Sequence, residues 1–423
     1  MPANRCIFQE RLYCIQWMRV KQKGKGYDYE FRSVTAADLE RERIVEDFIA
    51  QHLADWQDNG WIPDMRIESG TKTDEPIRDR GWTHWHHLWA PRQLTLGFSK
   101  KHFTNVENEY SNTVAFTSML DFSSKLTRWA TSPARFTQTG QQVGGIRNSS
   151  QNVFYNQALN TLFSYSCRST VDLFEVANKE TKCFHIASKK TVNCHPSADL
   201  SSKNDIFITD PPYGDAVKYE EILEFFIAWL RKNPPSEFSN WVWDSRRSLA
   251  IKGEDENFRR SMVSAYKRMT EYMQDNGIQV IMFTHQSGTI WADMANIVWA
   301  SGLQVTTAWY VVTETNSALR EGSYVEGTIL LVCRKRLRQH KTTRDDLAWE
   351  IQEEVETQVQ DLTGLNQQAK GLYRDENVFE DADIQMAGYA AALRVLTRYA
   401  IIDGRDMTAE AIRPRVKKEI RRC

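Results

Sequence analysis

Apolar residues follow two rhythms along the chain. Ile44, Phe48, Ile49, Leu53 and Trp56 recur at helical spacing, which predicts an amphipathic helix. Thr35-Ala36-Ala37-Asp38 reads as its capping box and Asn59-Gly60 as its stop. Ahead of it, residues 5–34 alternate aromatic and charged side chains and predict a short hairpin. Residues 62–80 are polar, carry two prolines and read as a surface loop. Helical patterns continue to about residue 130 through Leu120, Phe122, Leu126 and Trp129. Residues 131–150 are rich in Gly, Ser, Thr and Gln, carry Arg135 and Arg147 and no acid, and predict a flexible loop suited to phosphate contact or to solvent. A helix near 152–166 and a hairpin over 182–195 follow.

From Ser197 the pattern becomes regular. Ile206-Phe207-Ile208 predicts a buried strand. A helix over 217–232 carries Ile222, Phe225, Phe226 and Trp229 on one side and closes at Asn233-Pro234-Pro235. A helix over 258–276 ends at Asn276-Gly277, strand 278–284 follows, then a helix within 289–300 and strands 303–313 and 325–334. This alternation is the second half of a doubly wound α/β sheet ending in an antiparallel pair. Residues 337–346 read as a charged linker. Two helices follow, one through Leu347, Ile351, Val355, Val359 and Leu362 and one over 384–402, and then a basic tail at 413–422. The expected organisation is an N-terminal α+β region over 1–190, an α/β core over 191–337 and a helical segment over 338–423.

Composition changes this picture little. The 423 residues suffice for two or three domains, and a net charge of −1 gives no global basic field for nucleic acid. A local basic stripe would still suffice for DNA. Fourteen tryptophans and fifteen tyrosines fit either an aromatic core or a base-stacking surface. Seven scattered cysteines without a C-x-x-C pair point to free thiols in a reducing cytoplasm. No apolar run reaches the length of a membrane span.

The chemistry concentrates in Asp205–Gly214, DIFITDPPYG. Pro211 and Pro212 stop the strand, because neither can donate to a ladder. The stiff loop that results begins with the Asp210 carboxylate and ends with the Tyr213 ring. An exocyclic amine on a nucleobase is a poor nucleophile, since its lone pair is delocalised into the ring. Two acceptors that take both amine hydrogens aim that lone pair at an electrophile. Asp210 offers one acceptor from its carboxylate and Pro211 a second from its backbone carbonyl. Pro212 stiffens the loop, and Tyr213 offers a ring on which a base taken out of a duplex can stack. Rate would come from positioning rather than from a strong base.

With this loop, the blocks GWTHWHHLWAPRQL (81–94), SADL (197–200), ITDPPYGDAVKY (208–219) and YAAALRVLTRYAIIDGRD (389–406) resemble the large adenine-specific DNA methylases, amino-methyltransferases that carry a DPPY motif and an extended insertion ahead of it. The resemblance runs from about residue 5 onward. It implies a Rossmann-like methyltransferase sheet, S-adenosylmethionine as cofactor, DNA as substrate and a restriction-modification or phage-defence setting. It also makes Trp85 and Arg92 candidates for substrate contact; Gly214 and Asp215 beside the loop and His285 just after the next strand are further candidates for substrate contact, and Asp199 is a candidate for the cofactor. Packing at the start of a helix is the alternative for the tryptophan segment, and helix capping for His285.

His84, His86 and His87 are too cramped to serve one tetrahedral ion, and adjacent Cys194 and His195 point to opposite faces of a strand, so no metal site is expected. The Gly-rich turn D-P-F-x-G-x-G expected of S-adenosylmethionine binding is not found in the sequence. In the resembled methylases it lies ahead of the matched region. The sheet is therefore expected to be incomplete, with a partner polypeptide supplying the cofactor-binding half. Cytosine-N4 or RNA methylation, or a scaffold that has lost catalysis, are the alternatives.

Overall fold

The computed structural model describes residues 11–22, 27–103, 109–127, 129–131, 135–136, 142–143, 148–150, 153, 190–212, 218–252, 256–312, 327–370 and 379–407. The chain divides into two compact units, Met1–Lys190 with Lys218–Ser248, and Thr191–Val217 with Leu249–Cys423.

The first unit opens with an antiparallel hairpin of β1 (Cys14–Val20) and β2 (Tyr27–Ser33). Helix α1 (Ala36–Asp58) follows from Thr35, whose hydroxyl accepts the Asp38 N–H at 3.3 Å while the Asp38 carboxylate accepts the Thr35 N–H at 3.0 Å. These two bonds satisfy donors that a helix start leaves orphaned. Asn59 caps the other end, and Gly60 turns the chain at φ 72°, where a β-carbon would be strained. Only part of the predicted apolar face is used. Ile49 and Trp56 are buried, whereas Ile44 is 56% exposed.

Residues 62–80 differ from the expected loop. Ile62, Met65 and Ile67 are buried, Arg66 bridges to His84, and α2 (Asp74–Arg80) closes the segment. Its three apolar side chains anchor it despite the polar composition. Next come a 3-10 turn (Trp85–Leu88), α3 (Pro91–Leu94), α4 (Leu96–Phe103) and α5 (Glu109–Ser123). The expected flexible loop holds two short ladders, β3 (Trp129–Thr131) with β6 (Asn148–Ser150) and β4 (Arg135–Phe136) with β5 (Gln142–Val143). The predicted helix at 152–166 lies outside the described residues, except for Val153. So does most of the hairpin predicted at 182–195.

Residues Lys218–Ser248 belong to this unit rather than to the α/β core, because their helices supply its aromatic centre. The predicted helix over 217–232 is two short ones, α6 (Tyr219–Ile222) and α7 (Glu224–Leu230). Trp89 packs on Phe225 at 4.6 Å between ring centroids and edge-on against Trp229 at 5.1 Å, and Phe116 meets Trp229 at 5.5 Å. Much of the aromatic richness of the sequence is therefore spent on core packing here.

The second unit is an α/β sheet. β7 (Asn204–Thr209) is followed by α8 (Glu256–Tyr272), β8 (Met273–Phe283), α9 (Gly288–Ala300), β9 (Leu303–Val312) and β10 (Gly327–Lys335). The strand order is β7-β8-β10-β9, with β7 parallel to β8 and β10 antiparallel to both β8 and β9. Helix α8 ends four residues before the Asn276-Gly277 stop expected from the sequence. Gly277 instead lies within β8, where a β-carbon would come 2.9 Å from the Asp205 carbonyl oxygen. Close approach of two backbones, not a turn, demands that glycine.

Ile281, Phe283, Ile329, Leu331, Leu303 and Val305 from the strands pack with Met262 and Tyr266 of α8 and with Trp291, Met294 and Val298 of α9. The charged segment at 337–346 contains β11 (His340–Thr342), which pairs in parallel with β12 (Tyr399–Ile402). Between these strands run α10 (Arg344–Lys370) and α11 (Asp381–Leu396). Met386, Ala390 and Leu393 of α11 join the sheet core, so the helical segment expected to stand apart is part of this unit. Among the described residues, no helix is long and apolar enough to cross a membrane.

Candidate active site

Among the described residues, strand β7 has one neighbour. Phe207 packs against the sheet core, but Ile206 and Ile208 are 60% and 70% exposed. The strand predicted to be buried is thus covered on one face only, and among the described residues no strand pairs with its outer edge. Its ladder to β8 runs Ile206↔Ile278 to Thr209↔Ile281. At its carboxyl end the chain emerges as Asp210-Pro211-Pro212. Asp210 is exposed, Pro211 is buried and Pro212 is half-buried. A carboxylate in solvent therefore adjoins a proline locked into the protein, and ring closure at Pro211 fixes one backbone torsion of the pair. Tyr213, Gly214 and Asp215 lie outside the described residues.

His285 follows β8 at the same end of the sheet, since β7 and β8 run parallel. Its Nδ1 accepts the Ser287 N–H at 2.9 Å, and its carbonyl accepts the Trp291 indole N–H at 2.7 Å. Both bonds organise the start of α9 and give His285 a helix-capping role. Asp199 does not join Asp210. It lies in a 3-10 turn (Ser197–Asp199) ahead of the amino end of β7, and six strand residues, about 20 Å at the usual rise, separate the two ends. The adjacent Leu200 carbonyl accepts from Arg268 Nε at 2.7 Å, in the last turns of α8.

Two other candidates sit in the first unit. Trp85 is fully buried, which leaves no ring face for a base, and the packing alternative describes it. Arg92 donates to the Glu42 carboxylate at 2.6 and 3.1 Å on the surface. The histidine rings lie 4.3 to 5.7 Å apart by centroid. Gln57 donates its amide N–H to His86 Nδ1 at 3.2 Å, and the Thr83 N–H donates to His87 Nδ1 at 3.1 Å. Those nitrogens act as acceptors, so in both rings the proton of the neutral form sits on Nε2. Burial, then the neighbouring His87 and His84, push the His86 pKa down to about 4.

One cluster went unread in the sequence. Glu221 of α6 is buried, and its carboxylate accepts the N–H groups of Thr71, Lys72 and Thr73 at 3.0, 2.8 and 3.1 Å. Arg247 grips the buried Glu224 carboxylate through Nε at 2.8 Å and Nη2 at 2.7 Å. Its Nη1 donates to the Glu68 and Ser69 carbonyls and to the Thr73 hydroxyl, each at 3.2 Å. Two acidic residues on the apolar side of a helix were the available signal, because buried carboxylates need partners. These groups are consumed by one another, which makes the cluster a clamp rather than a reaction centre. The chain matches no family model, no curated protein and no solved structure.

Proposed function

We propose that the second unit is the target-base half of an S-adenosylmethionine-dependent amino-methyltransferase acting on adenine N6 of DNA. The observation that carries the reading is the exposed Asp210 carboxylate beside the buried Pro211 at the carboxyl end of a parallel strand. Ligand sites in open α/β sheets gather at such strand ends. The parallel β7–β8 pair, followed by β10 and β9 in antiparallel register, also agrees with the second half of a methyltransferase sheet.

Asp210 and the Pro211 carbonyl would accept the two amine hydrogens and free the nitrogen lone pair. When bound, S-adenosylmethionine would supply the methyl group from its sulfonium sulfur and leave as S-adenosylhomocysteine; the methylated amine would lose its proton to solvent, so no side chain need be a strong base. The described residues fit the amine-holding side of this chemistry. They offer no Gly-rich turn for the cofactor; among them the outer backbone edge of β7 is unpaired, where a further strand would add, and the face carrying Ile206 and Ile208 is open to solvent, where that addition would bring cover. We assign that strand and the cofactor pocket to a partner polypeptide. An unpaired backbone edge is a template for strand addition.

Calorimetric titration with S-adenosylmethionine tests this reading, on the purified chain and on the chain co-purified with its neighbouring-gene product. Binding in the complex alone is the expected result. Binding by the lone chain would sink the split arrangement, and no binding in either would favour a scaffold.

A further inference from the structure

The last residue of β7 has a tether that the backbone ladder does not provide. Thr209 Oγ1 donates to the Val280 carbonyl of β8 at 3.3 Å. The Tyr266 hydroxyl of α8 lies 3.3 Å from the same Thr209 oxygen. A threonine hydroxyl has one proton. With that proton on Val280, the Tyr266 hydroxyl must be the donor. The result is a directed chain from Tyr266 through Thr209 to the neighbouring strand.

Its setting favours a fixed geometry. Tyr266 is 2% exposed, within the sheet core. Burial pushes its phenol pKa up, against a smaller opposing effect of the Thr209 hydrogen bond, so the phenol keeps its proton at neutral pH. Thr209 immediately precedes Asp210, so the chain of bonds ends next to the exposed carboxylate. An edge strand held from one side has half the lateral bonds of an interior one, and its end is where fraying begins.

We propose that Tyr266 is a positioning residue for methyl transfer: its hydroxyl, acting through Thr209, holds the end of β7 so that Asp210 and the Pro211 carbonyl keep their aim. This inference rests on the reading of that pair as the amine-holding acceptors. Tyr266 touches no substrate atom in this scheme. Its effect is exerted through one intervening side chain, and it separates orientation from the chemistry of the carboxylate.

Tyr266→Phe is the test, because it removes the hydroxyl and keeps the ring. Amide hydrogen exchange on the full chain should rise at 207–210 and stay unchanged in β9 and β10. In the active complex, kcat should fall about tenfold, a part of the ~100-fold that a misplacement near 1 Å can cost, with the KM for DNA unchanged. The double variant Tyr266→Phe/Thr209→Val should lose no more kcat than Thr209→Val alone, since Tyr266 acts only through the Thr209 hydroxyl. Unchanged exchange at 207–210 overturns the proposal whether or not the enzyme reading holds. Raised exchange with unchanged kcat in an active complex also overturns it. Absence of methyl transfer by the wild-type complex would sink the functional reading instead, and the exchange result would still decide whether Tyr266 holds the strand end.

Discussion

Asp210, which opens the DPPYGD stretch, and Glu221, which follows it in sequence, show two opposite ways of holding a charge. Glu221 is buried in the first unit, accepts three consecutive backbone N–H groups, and stands beside the Glu224–Arg247 pair. Asp210, in the second unit, is exposed at the end of a strand that, among the described residues, is paired on one side. A satisfied buried network fixes a fold but has no capacity left for a ligand. An exposed carboxylate at the end of a strand contributes little to stability and is open to solvent. The difference separates a structural acid from a candidate catalytic one.

The largest expected effect breaks the closed region. Arg247→Met should destabilise the first unit by about 3–5 kcal/mol, because it strands the buried Glu224 without its partner. Urea denaturation followed by tryptophan fluorescence would measure it, and a loss below about 1 kcal/mol would show that the network is relaxed by water. Glu221→Gln should cost less, about 1–3 kcal/mol, since one oxygen still accepts while the amide N–H groups face the Thr71–Thr73 donors.

Acid should weaken the same unit through His86. Its pKa is near 4 in the fold, against 6.5 for the ordinary value. Between those values the unfolded chain binds the proton and the folded one does not, so stability falls as pH drops from 6.5 toward 4 and levels below. His84, His87 and Lys125 add like charge around the ring. A thermal melting series over that range should show the slope, and His86→Gln should flatten it.

The smallest effects on stability are expected at the open region. Asp210→Ala and Ile208→Lys should each change it by no more than about 0.5 kcal/mol, as is usual for exposed positions. Ile208→Lys should nevertheless abolish cofactor binding in the presence of the partner, if a strand adds at that edge. Retention of binding would place the partner elsewhere.

How much of this was legible in the sequence depended on the range of the interactions involved. The β7–loop boundary could be read because Pro-Pro forbids ladder bonds at that point, a purely local rule. The capping box at Thr35 and Asp38 is local in the same way. Glu221 could not be placed, because its partners at Thr71–Thr73 are remote in sequence and are backbone groups of ordinary residues. Trp85 looks the same in sequence whether it faces a base or a core, and only packing against its neighbours decides. Asn276-Gly277 signals a turn, yet the nearness of the Asp205 backbone makes that glycine part of a strand. Asp199 and Asp210 are close in sequence, but the strand between them carries them to opposite ends of the sheet.

Methyl transfer by the wild-type complex and by Asp210→Ala, carried out side by side, tests the central claim most directly. Labelled S-adenosylmethionine and duplex DNA would be incubated with each complex, and the DNA digested to nucleosides. The account predicts labelled N6-methyladenine from the wild type and none from Asp210→Ala, with both proteins equally folded. Equal labelling by the two would show that the Asp210 carboxylate does not hold the amine, and label on cytosine or only on RNA would reassign the substrate.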